Sequence, residues 1–99
     1  MELNVINQNG KKTLVVEGRI DTTTAPEFEK KLLAELKEGK DLKVDMGNVN
    51  YVSSAGLRAF LNGQKYCNQA KLEMLIFNVN DTVMEVFEMT GFADILVIK

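Results

Sequence analysis

The stretch Lys43–Ala70, KVDMGNVNYVSSAGLRAFLNGQKYCNQA, runs through a strand, a corner and a helix in succession. Leu42, Val44 and Met46 alternate with polar neighbours, as on a strand with one buried face. GNVN reads as a turn. From Leu57 the period changes: Leu57, Phe60, Leu61, Gln64 and Cys67 share one face of a helix. A period of two giving way to one of 3.6 marks a βα unit. Ser53 and Ser54, the only serines in the chain, sit side by side at the junction.

The rest of the chain extends this unit in both directions. Upstream, Leu3 and Val5, then Leu14 to Val16, bracket the polar run NQNGKK. Asn9-Gly10 within it favours a tight hairpin, because both residues tolerate positive φ. Antiparallel strands are expected over 2–7 and 12–18. Pro26 suits a first helical turn, where its missing N–H costs nothing. Ala25, Phe28, Leu32, Leu33 and Leu36 form an apolar stripe, and Gly39 stands where a helix ends. Downstream, the continuous apolar run Met74–Phe77 predicts a strand that is buried on both sides or central in the sheet. Asn80 or Asp81 caps a third helix with Val83, Val86 and Phe87 inward, ending near Gly91. ADILVIK supplies a last strand. The order is ββαβαβαβ: an α/β fold with a mixed, mostly parallel sheet and right-handed crossovers, expected as one domain over 1–99.

Composition removes several function classes. The chain has 99 residues, 45% hydrophobic and 26% charged, ordinary for a globular domain. Its net charge of −2 gives no basic excess for a phosphate backbone, so no nucleic-acid partner is expected. There is no histidine, which excludes His-based triads and histidine metal sites. The single cysteine, Cys67, can form neither an internal disulfide nor a thiolate metal site; it reads as a small buried hydrophobe. No P-loop is present. No metal, no cofactor and no enzymatic activity are therefore expected, and nucleotide binding ranks low. The N-terminus does not resemble a signal peptide and no apolar run spans a bilayer, so a cytoplasmic protein without a membrane partner is expected. Tyr51, Phe60, Met46 and Met74 are assigned to the core, and Met84 and Met89 to partly exposed positions.

At the serine junction, one hydroxyl suffices to cap the helix. The second is then free. Ala55 and Gly56 add almost no bulk, so the backbone there can be approached closely. A phosphate on the free serine would lie at the positive end of a helix, with Arg58 about a turn away to pair with it.

Three segments together resemble the STAS domain family, and within it the single-domain bacterial anti-sigma factor antagonists: GRIDTTTAPEFEKKL, LKVDMGNVNYVSSAGLRAFL and VMEVFEMTGFADIL. The resemblance implies a mixed sheet with helices mainly on one face. It implies a switchable partner of an anti-sigma factor that is also a serine kinase, with a serine phosphatase restoring binding. Aligned on Gly56 and Leu57, the family's phosphorylated serine falls on Ser54, with Ser53 as second choice. The neighbouring position used in some members is Ala55 here. The family's Asp next to the acceptor is replaced by Ser53. Asp21 and Asp45 match the family's other acidic positions; either is equally readable as structural, Asp21 capping the first helix region and Asp45 holding a turn. The expected partner surface comprises Asp21, Thr22, Thr23, Asp45, Ser53, Ser54, Ala55, Gly56 and Arg58. A monomer is the simplest state for such a docking module. The alternative is a STAS module that binds constitutively, without phosphorylation.

Overall fold

A computed structural model describes residues 1–99. The chain forms β1 (Glu2–Gln8), β2 (Lys11–Ile20), α1 (Ala25–Leu36), β3 (Leu42–Val52), α2 (Ser54–Ala70), β4 (Met74–Phe77), α3 (Asp81–Met89), a 3-10 turn (Phe92–Asp94) and β5 (Val97–Ile98). The five strands lie in the sheet in chain order. The β1–β2 pair is antiparallel, joined through Asn9 and Gly10, both at positive φ as the hairpin requires. All later pairs are parallel. Each crossover steps one strand in the same direction, so right-handed connections place all three helices on one face. Their side chains meet there. The ring centroids of Phe28 on α1 and Phe60 on α2 are 4.9 Å apart, and those of Phe60 and Phe87 on α3 are 5.7 Å apart. These three buried rings tie the helices together over Leu14, Val16, Val44, Met46 and Ile76 of the sheet.

β3 is longer than expected and is the strand that positions the site. GNVN does not turn; it continues the strand to Val52. Its pairing with β2 slips twice. Val15 faces Asp45, but Glu17 faces Asn48, and then Gly18 faces Val49 while Arg19 faces Tyr51. Each slip inserts one extra residue in β3, a β-bulge that adds twist and changes which side chain points inward. The buried positions follow: Leu42, Val44, Met46, then Val49 and Val52. Tyr51 consequently points away from the core, 41% exposed, a correction to its expected burial.

One other expectation is corrected. Only Val97 and Ile98 of ADILVIK form strand, because Ala93 and Asp94 lie in the 3-10 turn after Gly91. Of the two readings of the apolar run Met74–Phe77, the central position holds: β4 lies between β3 and β5 and is buried only at alternate positions, since no helix covers its second face. Phe60, Met46, Met74 and Cys67 are buried, Met84 is half-buried and Met89 is exposed. One buried ionic group was not anticipated. Lys12 Nζ lies 3.0 Å from Glu35 Oε1 and 2.8 Å from Glu38 Oε1, fastening β2 to the last turn of α1. Burial disfavours the Lys12 charge, but these carboxylates outweigh it and raise its pKa above the ordinary value.

Candidate functional site: the corner between β3 and α2

The β2–β3 ladder ends with the Ser53 N–H donating to the Ile20 carbonyl at 2.8 Å. Here both strands leave the sheet, β2 into the turn before α1 and β3 into α2. The two connections are thereby held side by side. Ser53 adopts an extended conformation and is the N-cap of α2. Its Oγ accepts from the Gly56 N–H at 3.3 Å, and its carbonyl accepts from the Leu57 N–H at 2.9 Å. Ser54 is the first helical residue, exposed, with its hydroxyl outside the cap. The two serines thus divide: one closes the helix, the other faces solvent.

Gly56 has a different place from the one expected. It is buried beneath the corner, not offered at the surface. A Cβ there would come within 2.7 Å of Ile20 Cγ2 and 2.9 Å of Val52 Cγ1. It lets the first turn of α2 press against the ends of β2 and β3, so its contribution is to packing. Ala55 is half-buried and Arg58 is exposed, one turn beyond Ser54. The first turn of α2 contains no acidic residue, so nothing offsets its positive end.

Beside the serines, Asp21 organises the β2–α1 turn. Its Oδ1 accepts from the Thr23 N–H at 3.0 Å, Thr23 Oγ1 at 2.8 Å and the Thr24 N–H at 3.1 Å. The Thr23 hydroxyl, followed by the Thr24 amide, lowers the Asp21 pKa to about 2. Thr24 Oγ1 adds a bond of 2.6 Å to the Arg19 carbonyl. Thr22 and Thr23 are exposed on this turn. The carboxylate therefore builds the loop that flanks the serines.

Asp45 does not join them. It lies in β3 seven residues before Val52, roughly 20 Å away at the rise of a strand. Its Oδ1 accepts from the Gly47 N–H at 2.9 Å and from Asn78 Nδ2 at 3.2 Å, bracing the first bulge and the end of β4. Asp45, expected in the same partner surface, is thus set apart from the serines along β3.

Two corner residues, Arg19 and Tyr51, were not singled out as site residues in the sequence. Arg19, opposite Tyr51 in the ladder, lays its guanidinium over the Tyr51 ring, 4.3 Å from the centroid. Its Nε also lies 3.7 Å from Asp21 Oδ2. The bulge that turns Tyr51 outward is what makes this stack possible. The spacing of apolar residues through β3 was the only hint of it.

No group of three or more His, Cys, Asp or Glu side chains is placed to hold a metal ion. A cavity of about 510 Å³ lies at the opposite pole, among Lys11, Lys40, Asp41, Lys43 and Glu73, where the parallel strands begin. No helix is long and apolar enough to cross a membrane. The corner presents one exposed hydroxyl, Ser54, between two exposed arginines, Arg19 and Arg58.

Residues 2–99 match the STAS domain family. The chain belongs to this family. An anti-sigma-B factor antagonist of Listeria monocytogenes is 37% identical over 87 residues, spanning 87% of this chain and 76% of the relative. Among solved structures, an anti-sigma factor antagonist from Mycobacterium paratuberculosis aligns with a TM-score of 0.84 at 20% identity, over 98% of this chain and 83% of the other. The phosphorylated form of the Bacillus cell fate determinant SpoIIAA aligns with a TM-score of 0.73 at 12% identity, over 99% and 91%. These two likenesses establish the STAS fold; the Listeria relative is a named regulator of the same family.

Proposed function

We propose that this STAS protein is an anti-sigma factor antagonist whose docking corner is switched by phosphorylation of Ser54. Unmodified, the corner binds an anti-sigma factor with serine kinase activity and so frees a sigma factor. The kinase then phosphorylates Ser54, the complex separates, and a serine phosphatase restores binding. The protein works in the cytoplasm as a monomer.

The observation that carries this reading is the division of labour between the serines. Ser53 is committed to the cap, while Ser54 is exposed at the first helical position. A phosphate on Ser54 meets the positive helix end and Arg58, so the fold tolerates it and the effect falls on the partner. The kinship with a named anti-sigma-B factor antagonist, and a fold shared with a protein known in a phosphorylated form, support the same reading. The Asp that the family places beside the acceptor is Ser53 here, and the nearest carboxylate of the adjoining turn is Asp21.

The test is phosphosite mass spectrometry on the protein isolated from growing and from starved host cells. The segment Asn50–Arg58 contains both serines and no threonine. Phosphate on Ser54 that changes with growth state is the expected result. Phosphate on Ser53 alone moves the acceptor. An unmodified segment in every condition favours the constitutive module instead.

A further inference from the structure

The chain contains only two arginines, Arg19 and Arg58, and both flank the serine corner. Its ten lysines all lie elsewhere. Segments 18–25 and 50–60, which build the corner, carry the two arginines and a single carboxylate, Asp21. These two segments thus carry a net positive charge in a chain of net charge −2. Neither arginine is spent on the fold. Arg58 is exposed and takes part in none of the salt bridges. Arg19 has a side chain 59% exposed, and only its Nε approaches a carboxylate of the chain.

Arg19 is also held in place. Tyr51 supports the flat of its guanidinium and Asp21 lies beside its Nε, while Asp21 is itself fixed by the two threonines. Holding an arginine before binding removes part of the ordering cost of binding. Exposed Tyr and Arg are the residue types that dominate binding energy at interfaces. A guanidinium fork pairs with a carboxylate through two parallel hydrogen bonds, which a lysine cannot do.

We propose that Arg19, on its Tyr51 platform, and Arg58 read carboxylates on an acidic surface of the partner, and that phosphate on Ser54 releases the partner by taking Arg58. This rests on the reading of the corner as the docking surface and adds the chemistry of the partner and of the release. Ser54 and Arg58 stand four residues apart on α2, the spacing at which side chains meet on a helix. A phosphoserine there competes directly for the guanidinium that otherwise faces the partner.

The test uses the anti-sigma factor recovered with the tagged protein from its host and then purified. Calorimetric titrations compare wild type, Arg19→Ala, Tyr51→Ala, Arg58→Ala, Ser54→Asp and the double variant Arg58→Ala/Ser54→Asp, each checked by thermal melting. Arg19→Ala and Arg58→Ala should each weaken binding about tenfold or more, as expected when a charge-assisted hydrogen bond is removed from an interface. Affinity should fall as salt rises. Ser54→Asp should cost less in the Arg58→Ala background than in wild type, since both act on one guanidinium. Arginine variants that bind within twofold of wild type, while Ser54→Asp loses binding, overturn this inference and leave the switch intact. Ser54→Asp binding like wild type, with the arginine variants impaired, overturns the switch and its release mechanism and leaves the acidic partner surface standing.

Discussion

Replacing each serine in turn separates the two roles assigned to them. In Ser53→Ala the Gly56 N–H loses its acceptor. Loss of an N-cap costs roughly 0.5–2 kcal/mol, and the 3.3 Å bond is long, which puts the cost near the lower half, about 1 kcal/mol. In a domain of about 100 residues this lowers Tm by roughly 4–8 °C. Ser54→Ala removes no bond of the cap, so it should stay within about 0.5 kcal/mol of wild type, or roughly 2–4 °C in Tm, the range of a neutral surface change. Ser54→Asp places a negative charge at a helix start that has no acidic residue in its first turn. That adds roughly 0.3–1 kcal/mol at low salt. The order of stability is therefore Ser54→Asp, then wild type and Ser54→Ala together, then Ser53→Ala. Thermal melts by circular dichroism at low and high salt measure it, with the advantage of the Asp variant shrinking at high salt. If Ser54→Ala loses as much stability as Ser53→Ala, the division of the serines is wrong.

Four further outcomes test other parts of the fold. Gly56→Ala should destabilise by about 1–2 kcal/mol in urea unfolding, because overpacking against Ile20 and Val52 outweighs the gain in helix propensity. Lys12→Ala should cost about 3 kcal/mol by the same method, the lower end for breaking a buried pair, since Glu35 keeps Lys31 at 3.4 Å. For Asp21, the folded pKa of about 2 lies below the ordinary 3.8, so its contribution is present above pH 3.8 and disappears as pH falls to about 2. NMR titration of the Asp21 carboxyl should place its midpoint in the low range, and a midpoint near 3.8 contradicts the threonine bonds. Burial, followed by the charge of Asp41, raises the Cys67 pKa, so at about pH 8 iodoacetamide should label the folded protein far more slowly than the urea-unfolded one.

Much of the architecture can be read from the residues. The hairpin follows from Asn9-Gly10, the helices follow from their apolar stripes, and the parallel order follows from the alternation of strands and helices. The strand β3 was only half legible. Its apolar residues fall at 42, 44, 46, 49 and 52. Two steps of two followed by two of three describe a strand with two bulges, yet Gly47 and the asparagines also suit a turn. The parallel pairing with β2, a long-range contact, decides between them. Tyr51 was misplaced for the same reason, since one inserted residue moves a side chain to the opposite face. At the corner, the capping role of one serine was legible from local chemistry. Which serine caps was not, because it depends on the Ser53 N–H completing the ladder with Ile20. Gly56 likewise reads as an open approach until Ile20, far away in the chain, is seen against it.

The central claim is that a phosphate on Ser54 acts on the partner and not on the fold. The most direct measurement is a calorimetric titration of the purified anti-sigma factor with the protein carrying serine or phosphoserine at position 54, alongside melts of both forms. The account requires tight binding by the unmodified form, affinity reduced about a hundredfold or more by the phosphate, and a Tm that is equal or slightly higher. Equal affinities for the two forms, or a phosphorylated form that has lost its helices, would contradict it.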